Sequence, residues 1–128
     1  MLLYITLGSN DLSKAKIFYD AALAPLGMVR RVTEDVEIGY GAPTDSRTRL
    51  WVVTPYDEKP ATTGNGSMVA LEAESRAKVD AFYEAALANG GTDEGKPGLR
   101  PYHADFYAAY VRDPDGNKIS AVCETAPV

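Results

Sequence analysis

A chain of 128 residues has the size of one domain, and 45% hydrophobic with 24% charged residues is the make-up of an ordinary globular protein. Its net charge of −5 repels phosphate backbones and anionic lipid, and Arg30-Arg31 is the only adjacent basic pair, so nucleic acid and membranes are not expected partners. Cys123 is the single cysteine, which excludes an internal disulfide; MLLYITLGSND carries no basic leader before its short apolar run, so the cytoplasm is the expected location.

In chain order, the apolar run YITL reads as a strand. Asp11 then offers a carboxylate to the free N–H groups of a helix that ends near Gly27. Ala15, Phe18 and Ala22 fall on three- and four-residue steps and form one buried stripe. Alternating, β-rich runs predict strands over 29–33, 36–41 and 48–54. PYDEKPATTGNG, rich in proline, glycine and threonine, reads as a linker over 55–66. A second strand, MVAL, precedes a helix capped by Ser75 and closed near Gly91. A short strand over 91–94 follows, then strands over 106–111 and 118–123. Asp113-Pro114-Asp115-Gly116-Asn117 joins the last two as a hairpin turn, with proline fixing one dihedral and glycine supplying a positive one.

The chain repeats itself. FYDAALAPLG at 18–27 returns as FYEAALANGG at 82–91, and nine of 25 positions in 4–28 are identical to those 64 residues later. The stripe Ala15, Phe18, Ala22 returns as Val79, Phe82, Ala86. Each half reads β-α-β-β-β, giving one domain made of a module over 1–54, the linker, and a module over 67–128. The fold class is α+β, with two βαβββ modules pairing into a curved mixed sheet around a central cleft.

Each module covers one sheet face with its helix and leaves the other bare. Residues two apart share a face. Leu3, Ile5 and Leu7 are therefore assigned to the helix side, and Tyr4 and Thr6 to the bare face. The repeat carries those two positions to Met68 and Ala70. Aligning RLWVV with KISAV adds Trp51 and Ser120, with Arg49 and Lys118 on the same faces; Glu72 shares the face of Met68.

YITLGSNDLSKAKIFYDAALAPLGM and YAAYVRDPDGNKISAV resemble the vicinal oxygen chelate superfamily of glyoxalase I, fosfomycin- and bleomycin-resistance proteins and extradiol dioxygenases. The most specific parts are Gly8, Asp11, Ala15, Phe18 and Tyr19, and the DPDGN hairpin. The resemblance implies paired βαβββ modules. It also implies a divalent metal held by His, Gln or Glu at four strand positions, which here carry Tyr4, Trp51, Met68 and Ser120. Phenol, indole, thioether and hydroxyl are poor ligands for such ions, so neither a metal nor any other cofactor is expected.

His103 is the only histidine and the only source of imidazole chemistry, with Asp105 near enough in sequence to orient it. Three functions remain open: binding of a small aromatic or amphipathic molecule in a metal-free cleft lined by Tyr4, Thr6, Arg49, Trp51, Met68, Ala70, His103 and Ser120; a lyase, isomerase or dioxygenase-like enzyme using His103 as acid–base; or an interaction domain whose cleft is filled. A homodimer is expected. The linker is long enough for modules to pair within one chain or between two.

Overall fold

The computed structural model describes residues 1–127. The first module runs β1 (Ile5–Gly8), α1 (Leu12–Leu23), a 3-10 turn (Ala24–Leu26), β2 (Val29–Thr33), β3 (Glu37–Gly41) and β4 (Leu50–Val53). The second runs β5 (Val69–Glu72), α2 (Arg76–Ala88), β6 (Thr92–Leu99), β7 (Tyr107–Arg112) and β8 (Lys118–Cys123). The two βαβββ units expected from the repeat are both present.

Their sheets have the same topology, β1-β4-β3-β2 and β5-β8-β7-β6, with the first strand parallel to the last and the other pairs antiparallel. The register matches too: Ile5 pairs with Leu50 as Val69 pairs with Ile119, and Thr6 with Trp51 as Ala70 with Ser120. The strands form two separate four-stranded sheets. The modules meet instead through α1 and α2, which pack on each other.

Local chemistry explains the helices. Asp11 accepts from the Lys14 N–H at 3.1 Å and Ser75 from the Lys78 N–H at 3.2 Å, satisfying donors that the first turn leaves free. Both stripes are fully buried and form one core with Tyr19, Tyr40, Val52 and Ile119. Burying a side chain such as Phe18 or Phe82 contributes about 1.5–3 kcal/mol, so the repeated stripes supply much of the core that the two modules share. Ile5 and Leu7 pack against this core as expected, whereas Leu3 stays 47% exposed ahead of the first strand.

The left-handed residue after α1 is Gly27 (φ 79°), but after α2 it is Gly90 (φ 98°), not Gly91. The 3-10 turn with Pro25 displaces the reversal by one residue in the first module, and α2 lacks such a turn. Gly91 is needed for closeness: a Cβ there would stand 2.6 Å from Phe18 Cε1 and 2.8 Å from the Ala86 carbonyl oxygen.

The last hairpin latches the modules. Asp113, 3% exposed, accepts from the Tyr19 hydroxyl at 2.6 Å and from the Asp115 and Asn117 N–H groups, both at 2.9 Å. Asn117 donates Nδ2–H to the Gly8 carbonyl, and the Asn10 N–H donates to Asp115 Oδ1. The linker is pinned as well, by two hydrogen bonds between Asn10 and the Ala61 backbone.

Candidate functional site

Each bare sheet face fronts a cavity of its own. The first, of about 860 Å³, is lined by Tyr4, Thr6, Val32, Trp51 and Val53, with Glu37 and Arg47 among its charged residues. The second, of about 550 Å³, is lined by Met68, Ala70, Tyr110, Ser120 and Val122, with Arg100, Tyr102, Phe106 and Lys118 around them. Alternation thus places Tyr4, Thr6 and Trp51 together, and Met68, Ala70 and Ser120 together. One chain does not bring the two sets into a single cleft. Faces that pack through their covering helices leave their bare sides apart.

The two faces are built by opposite choices at matching positions. Gly39 pairs with Trp51 across β3 and β4, and a Cβ at Gly39 would lie 2.9 Å from Trp51 Cζ3, so the missing side chain makes room for the indole. In the second module Tyr110 pairs with Ser120 across β7 and β8. There the aromatic ring lies toward Gly95 of β6, where a Cβ would come 2.8 Å from Tyr110 Cδ2. Each module therefore carries one aromatic platform seated on a glycine.

Ser120 is fully buried at the floor of the second cavity, and its Oγ has no hydrogen-bond partner among the described residues. A buried hydroxyl in that condition costs stability. Tyr4 and Met68 remain 50% and 45% exposed, so they do not plug their faces.

The other expected residues lie elsewhere. Arg49 does not line the first cavity: it donates Nε–H and Nη2–H to Asp45 at 2.8 and 3.1 Å and Nη1–H to the Leu3 carbonyl. Its guanidinium holds the Asp45 carboxyl down at about 2. Arg49 precedes β4, and capture by Asp45 turns its charge away from the sheet. His103 lies outside both linings, on the loop before β7. Its Nδ1 accepts from the Asp105 N–H at 3.2 Å, which leaves the proton of a neutral ring on Nε2, 2.9 Å from Glu124 Oε2. Asp105 orients the ring through its backbone, while its carboxylate lies 3.5 Å from Arg76. Lys118 does line the second cavity, Glu72 lines a neighbouring depression with Ala70 and Val122, and Cys123 is buried in the core.

The four positions that the resemblance assigns to metal ligands hold a phenol, an indole, a thioether and a hydroxyl, divided between two cavities. No group of three or more His, Cys, Asp or Glu side chains able to hold a metal ion occurs among the described residues. That donor set does not fit the divalent centre.

The family model described as Glyoxalase/Bleomycin resistance protein/Dioxygenase superfamily matches residues 1–121. The chain belongs to this superfamily. A crystal structure of a glyoxalase/bleomycin resistance protein from Albidiferax ferrireducens T118 shares 42% identity and a TM-score of 0.84, over 95% of this chain and 97% of that one. A glyoxalase-related enzyme from Fulvimarina pelagi (21% identity, 96% and 87% coverage, TM-score 0.75) shares the fold. So does the lactoylglutathione lyase of Agrobacterium tumefaciens (20%, 96% and 92%, TM-score 0.66). No curated protein matches the chain.

Tyr110, Phe106, Tyr102 and Arg100 were not singled out from the sequence, although all four stand in the aromatic-rich run RPYHADFYAAY around His103. Tyr110 was within reach: it and Ser120 stand five residues either side of Asp115 at the centre of the DPDGN turn, so the hairpin alone pairs them. Gly39 and Gly95 gave no signal, because a glycine in a strand does not say which ring it admits.

Proposed function

We propose that this superfamily member binds a small aromatic or amphipathic molecule without a metal, and that it does so as a homodimer. Ser120 carries the reading. A hydroxyl stands where the resemblance places a metal-binding glutamate, fully buried and unpartnered on a cavity floor beside an aromatic ring. Such a group can donate to a ligand oxygen, and the rings nearby can stack on a flat ligand.

The geometry of the faces supports the homodimer. Tyr4 and Trp51 lie on one open face and Met68 and Ser120 on another. A shared cleft forms when the first module of one copy covers the second module of its partner, with closed two-fold symmetry. The acid–base reading of His103 is less well supported, since both ring nitrogens are already engaged and the ring is outside both cavities. The filled-cleft reading is disfavoured by the openness of both faces.

Calorimetric titration of metal-stripped protein with nickel, zinc and manganese, followed by titration with flat aromatic ligands, tests the proposal. Ligand binding without stoichiometric metal uptake is the expected result. One tightly bound ion per cleft would overturn the metal-free reading and make enzyme chemistry the leading one.

A further inference from the structure

The second cavity carries a charge pattern that the first does not. Arg100 Cζ lies 5.3 Å and Lys118 Nζ 5.4 Å from the centroid of the Tyr110 ring, so both cations gather around one aromatic group. Neither forms an ion pair among the described residues. Arg100 spends only two of its N–H groups, on the carbonyls of Leu99 and Lys96 at 3.3 and 2.6 Å, which leaves three of five for a ligand. The one carboxylate in the lining, Glu94, is taken by Arg112 at 3.0 Å. The lining of the first cavity holds one cation, Arg47, and one carboxylate, Glu37, so its formal charge balances.

Two uncommitted cations on one face of a chain with net charge −5 need an explanation. The rest of that lining is apolar and aromatic: Met68, Phe106 and Tyr102, the last two in edge contact at 4.9 Å between ring centroids. Ser120 adds an unspent hydroxyl at the floor. A flat apolar body would sit against the rings, and a negative group on it would meet the two cations.

We propose that the ligand is an aromatic carboxylate and that Arg100 and Lys118 recognise its charge. This rests on the binding-protein reading above and adds the ligand's charge and the residues that read it. The guanidinium offers the planar fork that a carboxylate accepts, and the ammonium a second, movable donor.

The test is calorimetric titration of the full chain with 2-naphthoate and with its neutral amide, 2-naphthamide, which has nearly the same shape. The expected result is at least about tenfold tighter binding of the carboxylate, an advantage that shrinks at high salt. Lys118→Gln should erase much of the difference and Arg100→Gln with Lys118→Gln all of it, so that the two probes bind within about twofold of each other. Equal binding of both probes by the unaltered protein would overturn the anion proposal and leave the binding reading standing. Binding of neither would overturn both. A carboxylate preference that survives Lys118→Gln and the double substitution would remove these two residues from the role. Since Arg100 also bonds to backbone carbonyls, Lys118→Gln alone decides if the double variant does not fold.

Discussion

Ser120 sets stability against function. Its buried Oγ has no partner among the described residues, and an unsatisfied buried hydroxyl costs about 1–3 kcal/mol. Ser120→Ala should therefore stabilise the protein by about 1 kcal/mol, read by urea unfolding, while weakening any aromatic ligand that uses the hydroxyl. A loss of stability would mean that the Oγ is satisfied in solution, and its role as a waiting donor would fall. Tyr19 is the opposite case, because its hydroxyl is spent on Asp113. Burial first, and the Asp113 carboxylate second, push the Tyr19 phenol well above its ordinary 10.0. Burial and then Asp20 raise Tyr40 likewise. Groups held protonated in the folded state stabilise it fully below pH 10.0, and that stability drains away as the unfolded chain ionises above it. Each should cost about 1.4 kcal/mol per pH unit beyond that point. Melting temperatures should then fall steeply above pH 10, and Tyr19→Phe should flatten the fall. The same variant should be less stable at pH 7 by about 1.5–3 kcal/mol, the worth of a hydrogen bond to a charged group.

At the scale of elements, the repeat made most of the fold legible. The strands over 29–33 and 118–123 match β2 and β8 end to end, and both helix caps are the ones the sequence indicates. The strand expected over 91–94 runs on to Leu99, because β6 is an edge strand: Pro97 and two register shifts are tolerated where no further neighbour needs an N–H. The closing glycine of α2 stands one residue before the position that the repeat indicates, since a shift of 64 carries the 3-10 turn of the first module onto a helix that has none. Gly91 then makes its own prediction. Gly91→Ala should destabilise by about 2–3 kcal/mol, because the new methyl group meets Phe18 and two backbone carbonyls in a packed core. Gly27→Ala, strained in φ but with open space around its Cβ, should cost only about 1 kcal/mol. Chemical denaturation of the two variants compares crowding with dihedral strain directly. The candidate site was legible by alternation wherever a residue lies inside a strand, as with Thr6, Trp51, Ala70 and Ser120. It failed at Arg49, which lies outside the strands and points where Asp45 takes it; His103 stands on a loop that alternation does not reach, and turns to Glu124.

Duplication alone leaves the assembly of the whole molecule open. Two modules can join by their bare faces or by their helices, and the matched stripes of α1 and α2 make the second choice within this chain. The bare faces are then free for a partner, and the described helices include none long and apolar enough to cross a membrane. A crossed homodimer has a consequence that a monomer lacks. Each of its two clefts takes the first module of one copy and the second module of the other. Trp51→Glu spoils every cleft of its own dimer, and so does Ser120→Arg. A heterodimer of the two variants pairs both damaged faces in one cleft and both intact faces in the other. Random mixing makes about half of the dimers mixed, so about a quarter of all clefts should recover ligand binding. Co-refolding the variants and measuring ligand stoichiometry by calorimetry reads that fraction. Recovery near a quarter establishes the crossed arrangement. No recovery, with each variant folded and unable to bind alone, means that a cleft draws both faces from one chain, and the homodimer reading of the site falls; binding kept by either variant alone means that one face binds by itself, and the shared cleft falls likewise.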